Sequence, residues 1–171
     1  IYKMKKIFYF ILAILAVSCS DITTDDVSRV TNYPVLTLNG DDQIFVLYGG
    51  QFTDPGIIAK EGEEIITYTS TIKGKYRGKS TVDTSIIDEY IVTYTAINKD
   101  GFPASINRKV IVNKIGDLIN SIEGVYISTA KRNGALLPST QGSSEDMEYV
   151  YIWKNTDGTF EVSDAFGGWY D

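Results

Sequence analysis

Residues 90–97, Tyr-Ile-Val-Thr-Tyr-Thr-Ala-Ile, constrain the fold more than any other stretch of the chain. Their side chains sort with a period of two. Tyr90, Val92, Tyr94 and Ala96 fall on one face, and Ile91, Thr93, Thr95 and Ile97 on the other. That period, in a run of β-branched and aromatic residues, marks a strand with one face in a core. Lys99-Asp100-Gly101 makes a turn, and 108–112 reads as the returning strand, with Val110 and Val112 sharing a face. Similar short runs precede it. Residues 35–38 end at Asn39-Gly40, a strong turn dipeptide, and 44–48 end at Gly49-Gly50. Residues 65–71 and 80–83 are weaker strand candidates. No stretch offers a convincing helical period, so 34–113 are expected to form a β-sandwich.

Five blocks in this region carry a family resemblance: Thr37-Leu38-Asn39-Gly40, Phe52-Thr53-Asp54-Pro55-Gly56, Val82-Asp83-Thr84-Ser85, the run from Tyr90 to Ala96, and Arg108-x-Val110-x-Val112. In order and spacing they resemble the bacterial surface Ig-like domain that also occurs in an insecticidal crystal protein. The resemblance implies an Ig-like sandwich over nearly all of 34–113, in a family used for spacing and adhesion. The sequence departs from the family at two places. Lys60-Glu61-Gly62-Glu63-Glu64 stands where Asp-Gly is usual, and Asn98-Lys99-Asp100-Gly101-Phe102 replaces the usual Asp…Gly-Asn.

A second unit begins after Lys114. Residues 115–123 place Ile115, Leu118, Ile119 and Ile122 at helical spacing, enough for a turn or two within a linker. Residues 124–130 read as a strand, 133–146 as a loop rich in Ser and Gly, and 147–154 as a strand. Asn155-Thr156-Asp157-Gly158 turns the chain into 159–163. The segments GVYISTAKRNG and FEVSDAFGGWYD resemble the start of the C-terminal β-domain of a lipoprotein family from gut Bacteroidetes, commonly encoded beside outer-membrane glycan-uptake transporters. A sheet that ends directly on residues 167–171 lacks closing strands and buries a core poorly, so 118–171 are expected to be a truncated C-terminal β-domain. The fold class expected is all-β: an Ig-like β-sandwich followed by a partial antiparallel β-sheet unit.

The N-terminus supplies an address. Lys3, Lys5 and Lys6 precede 11 apolar residues, 7–17. A bilayer-spanning helix needs roughly 20, so the layout reads as a cleaved signal peptide, with Met4 as the start codon. Ala16-Val17-Ser18-Cys19 resembles a bacterial lipobox, and Cys19 is the only cysteine. Residues 1–18 are then a lipoprotein leader, and the Cys19 thiol carries a diacylglycerol. Acyl burial of roughly 0.8 kcal/mol per methylene holds the protein on the membrane. Ser20-Asp21, with Asp25 and Asp26, resembles the acidic export signals of Bacteroidetes surface lipoproteins. Residues 19–33 are a flexible tether rich in Ser, Thr and Asp. The expected location is the cell surface, lipid-anchored on the outer membrane.

Charge and residue types narrow the chemistry. Three of the 16 basic residues lie in the leader, so 13 remain against 22 acidic ones, a net charge of −9. No basic face is available for a nucleic-acid partner. The chain has no histidine, and its one cysteine is assigned to lipid, so Ser-His and zinc chemistry have no support and no cofactor or metal is expected. Asp54, Asp83, Asp88 and Glu89 could in principle act as a glycosidase pair, but they sit at turns of a spacing and adhesion family, so no enzyme is expected. Asp41, Asp42, Asp54 and Asp100 offer oxygen ligands for calcium without any known loop pattern, and turn-forming roles are favoured. Tyr149, Tyr151 and Trp153 share one strand face, opposite Val150 and Ile152. Either face can be the inner one, and the larger aromatics are assigned to the core. Trp169 and Tyr170, after Gly167-Gly168 and near Asp164, are the candidate ligand-binding residues, an aromatic plate beside a carboxylate suited to sugar hydroxyls. The alternative is that Gly167-Gly168 is a bulge or turn and Trp169 closes the core of the complete domain. The function expected is a non-catalytic surface lipoprotein, an accessory or glycan-binding component of an outer-membrane uptake system with glycan or transporter complex as partner. The alternative is an adhesion protein that binds another protein through the Ig-like domain.

Overall fold

The computed structural model describes residues 30–127, 131–136 and 149–163, and every regular element among them is a strand. The described residues from Asn32 onward belong to one compact unit. Seven strands build a two-layer sandwich: β1 (Pro34–Leu38), β2 (Gln43–Leu47), β3 (Ile57–Glu61), β4 (Glu64–Ile65), β5 (Tyr68–Gly74), β6 (Asp88–Ile97) and β7 (Pro103–Asn113). The alternating run lies in β6, which pairs antiparallel with β7 from Asp88↔Val112 to Ile97↔Pro103. Between them Asn98 Oδ1 accepts from the amides of Asp100 and Phe102 and closes the turn. Strand β5 joins the other side of β6, and β2 joins β7 in parallel, giving the order β2-β7-β6-β5. The facing layer has the order β1-β3-β4.

The core between the layers is the one the period of two requires. Tyr90, Val92 and Tyr94 from β6 and Val110 and Val112 from β7 are fully buried, packed against Ile57 and Ala59 of β3 and Val46 of β2. Strand β3 was not foreseen. It is five residues long, and its pattern of two isoleucines, alanine and lysine shows its parity only once Ile57 and Ala59 are seen to face inward. The candidate at 80–83 is not a strand. Asp83 Oδ1 instead accepts from the Ser85 amide at 3.0 Å and the Ser85 hydroxyl at 2.6 Å, a local turn that competes with sheet pairing. The run 65–71 is split between β4 and β5. In the 115–123 connection Asp117 Oδ1 accepts from the amides of Ile119, Asn120 and Ser121, and no helix forms.

A third sheet follows, built from β8 (Gly124–Ile127), β11 (Tyr149–Lys154) and β12 (Phe160–Val162) in the order β12-β11-β8. A small hairpin of β9 (Lys131–Arg132) and β10 (Ala135–Leu136) lies between β8 and β11 in sequence. Tyr151 and Trp153 are buried, as the aromatic face was expected to be, and they pack on Ile87 and Ile111. The partner of that aromatic face is therefore the outer face of the β2-β7-β6-β5 sheet. Consecutive burial of Val110, Ile111 and Val112 records this covering on both sides, because a strand with one free face would alternate.

Candidate functional site

Three arrangements of polar side chains occupy strands β6 and β7, and their geometry separates architecture from candidate site. The first lies inside the sandwich. Arg108 shares the core-facing parity of Val110 and Val112, so its guanidinium is carried into the interior and is fully buried. There Nη1 donates to Asp54 Oδ1 at 2.6 Å and to Tyr94 Oη at 2.8 Å. Nη2 donates to the carbonyls of Asn39 at 2.7 Å and Gly56 at 3.3 Å, and Nε to the carbonyl of Asp41 at 3.0 Å. The Asn39 and Asp41 carbonyls flank the point where the chain leaves β1 in one layer for β2 in the other, and Gly56 precedes β3. Tyr94 Oη also donates to Asp54 Oδ1. Burial, then the hydrogen bond and charge of Asp54, push the Tyr94 phenol well above its ordinary range. Gly56 is held at φ +70°, and a Cβ there would stand 2.7 Å from the Tyr68 hydroxyl. The Phe52–Gly56 block and the Arg108 block thus meet at one network, in which Asp54 Oδ1 and the carbonyls of Asn39, Asp41 and Gly56 serve the fold.

The second arrangement lies on the outer face, under the third sheet. Glu89 and Ile111 are paired residues on β6 and β7. The Glu89 carboxylate accepts a hydrogen bond from Tyr151 Oη at 2.9 Å and stands 3.5 Å from Lys75 Nζ and 3.7 Å from Lys109 Nζ. Burial first, and then the Glu89 charge, drive the Tyr151 phenol far above its ordinary range. For Lys75 burial is the largest single influence and opposes the charged form, but Glu89 and Tyr76 together outweigh it and the ammonium titrates above its usual value. Next to this pair the connection after β5 is clamped from both sides. Asp88 accepts from the amides of Tyr76 (3.0 Å), Arg77 (3.1 Å) and Glu89 (2.8 Å). Burial raises the Asp88 pKa against the pull of those amides. Gly74 admits this carboxylate, since a Cβ would lie 2.7 Å from Asp88 Oδ2. Tyr76 packs on Tyr151 and Trp153 at ring-centroid distances of 5.1 and 6.2 Å, and the Arg77 guanidinium lies 5.6 Å from the Trp153 ring.

The third arrangement is a depression of about 420 Å³ on the same outer face, lined by Asp42, Gln43, Ile91, Asn107 and Lys109. Register explains the grouping. Gln43 pairs with Lys109 and Lys109 with Ile91, so the three form one cross-strand row, while the Lys109 amide donates to the Asp42 carbonyl at 2.8 Å. On one side Gln43 Nε2 reaches the third sheet and donates to Tyr149 Oη at 3.4 Å. Phe45, two residues further along β2, meets Tyr149 edge-on at 5.7 Å and is half exposed. On the other side Asn107 pairs with Thr93, and Thr95 shares a hydrogen bond with Ser105.

Cys19, Asp164, Trp169 and Tyr170 lie outside the described residues. Of the acids weighed as calcium ligands, Asp54 is bound to Arg108, Asp41 and Asp42 lead into β2, and Asp100 sits in the β6–β7 turn. Among the described residues no three potential metal-ligating side chains group together. Sequence reasoning missed the depression because its residues come from β2, β6 and β7 and are joined only by register. It also missed Arg108, although a charge on the parity of Val110 and Val112 was a readable sign of a buried, fully bonded cation.

Residues 36–112 match the family model described as bacterial surface protein, Ig-like domain, and residues 115–171 match a model described as a C-terminal domain. The first is a surface-domain family and not an enzyme family. Among solved structures the chain is similar to the lipoprotein BT2262 from Bacteroides thetaiotaomicron, at 28% identity and a TM-score of 0.45, over 81% of this chain and 65% of that one. No curated protein matches.

Proposed function

We propose that the protein is a non-catalytic lipoprotein of the bacterial cell surface, anchored on the outer membrane through Cys19, and an accessory or glycan-binding component of an uptake system. In this reading the sandwich is a rigid spacer. The observation that carries it is the way the four acids weighed as a glycosidase pair are used. Asp54 is bound by Arg108, Tyr94 and the Gly56 amide, Asp83 by Ser85, Asp88 by three amides, and Glu89 by Tyr151 and two lysines. A glycosidase needs one carboxyl to donate a proton and another to attack or activate water, and groups so committed serve neither task. What remains on the surface suits binding: an open polar depression beside partly exposed aromatics. The second reading, adhesion to another protein, draws on exposed Val35, Ile58 and Ile65 in the β1-β3-β4 layer.

Two measurements test the proposal. Mass spectrometry of protein extracted from membranes should find a diacylglycerol-modified N-terminal Cys19, and a soluble product with an unmodified thiol would contradict the anchor. A glycan array on the full-length protein should give binding. Loss of that binding in a folded Trp169→Ala variant places Trp169 in the site, and its survival removes Trp169 from it. No binding to any glycan favours adhesion.

A further inference from the structure

We infer that the outer-face depression between the third sheet and the Thr93–Asn107 pair is a seat for a neutral polysaccharide, held through Asp42, Asn107 and Lys109. The inference rests on the glycan-binding reading above and gives it a location within the described residues. Three observations carry it.

The first is shape. The depression measures about 420 Å³, within the roughly 300–1,000 Å³ of small-molecule sites, yet it opens along a flat sheet face. An open trough accepts a section of an extended chain more readily than a small molecule that must be enclosed to bind.

The second is chemistry. Asp42 supplies acceptors, Asn107 both donors and an acceptor, and the Lys109 ammonium donors, which together match hydroxyl groups that donate and accept. Half-buried Ile91 gives an apolar floor, and Phe45 with Tyr149 an aromatic edge about 7 Å along β2 from Gln43, a spacing set by the rise of two residues.

The third is charge. Lys75 and Lys109 share Glu89 at 3.5 and 3.7 Å, and Asp42 brings the second negative charge that balances the pair. No uncompensated cation is left for a polyanion, and the chain as a whole is acidic. A neutral ligand avoids both penalties.

The test uses the full-length chain, with dextran, amylopectin, a soluble β-1,3-glucan and galactomannan as neutral probes and polygalacturonate as the anionic one. Affinity electrophoresis and calorimetry are run on the wild type and on Asp42→Ala and Asn107→Ala. Both positions are on the surface, and unchanged melting temperatures confirm the fold. The expected result is binding of at least one neutral polysaccharide, weakened about tenfold in each variant, the loss of one or two hydrogen bonds. Binding of a neutral probe with full affinity in both variants would overturn this seat and leave the glycan-binding reading standing. Binding of polygalacturonate alone would overturn the ligand class. Binding of none of the five would overturn both the seat and the reading it rests on.

Discussion

Strands β6 and β7 carry a tyrosine–carboxylate–cation cluster on each of their two faces, and the clusters differ in a way that assigns their roles. On the inner face Tyr94, Asp54 and Arg108 surround a guanidinium with no exposure at all, which also ties down three backbone carbonyls. On the outer face Tyr151, Glu89, Lys75 and Lys109 surround a carboxylate, and the lysine side chains remain 47% and 37% exposed. A planar five-donor cation can satisfy a network that water never reaches. Ammonium groups at the rim stay hydrated and are screened by salt. The inner cluster is therefore architecture, without which the layers cannot hold their crossing at 39–42. The outer cluster is a joint, fastening one sheet onto another while the rest of that face stays open.

Mutations should separate the two clusters by size of effect. Arg108→Ala removes the cation from a buried network and strands Asp54 and three carbonyls. Chemical denaturation should register a loss of about 3–5 kcal/mol, or a chain that no longer folds. Val110→Ala, which empties part of the core without touching either cluster, should cost about 1–3 kcal/mol. A change of only a few tenths would mean that the strand faces are reversed. Tyr151→Phe deletes one hydroxyl from the joint while two lysines still serve Glu89, so about 1 kcal/mol is expected.

The same phenols set an alkaline limit. Both have folded pKa values raised above the ordinary tyrosine value, by burial first and then by their carboxylates. In that range the unfolded chain gives up protons that the folded chain retains. Their contribution is complete below about pH 10 and is lost as pH rises beyond it. A urea midpoint followed from pH 8 to 11.5 should fall above pH 10, less steeply in Tyr151→Phe than in the wild type. The smallest effect is expected at the linker. Glu123 accepts from Lys114 at 2.8 Å and from the Lys154 amide at 3.1 Å, and the Lys114 bond is the main cause of its lowered pKa. Glu123→Gln should cost under about 1 kcal/mol, a difference that vanishes as pH falls through the carboxylate range.

The sandwich was legible because one long strand, β6, alternates and turns bracket it, so the shared faces of Val92 with Tyr94 and of Val110 with Val112 pointed to the core. Strand β3 was hidden by its length, since five residues between Gly56 and Gly62 hold too few repeats to show a period. The false strand at 80–83 shares its composition with a true one. Only Asp83 and Ser85 betray it, by offering the backbone a local partner. The third sheet presented apolar residues on both faces, Tyr151 and Trp153 against Val150 and Ile152. The choice between them rested on side-chain size and proved right. That the aromatics would meet Ile111 and Glu89 could not be read, because nothing local in β11 specifies the surface it lands on. The depression was illegible for the same reason.

Amide hydrogen exchange on the full-length chain, comparing wild type with Tyr151→Ala, tests most directly the claim that the two faces of β6 and β7 do separate work. If the outer cluster is a joint, the amides of β11 and β8 should exchange about a hundredfold faster in the variant. Those of Val92, Tyr94 and Val110 should keep their wild-type protection, since the inner network is untouched. Equal acceleration in β11 and in the sandwich core would contradict the account, showing that both faces belong to one cooperative structure. Unchanged exchange in β11 would contradict it as well, because the third sheet would then be held by something other than Tyr151 and Glu89.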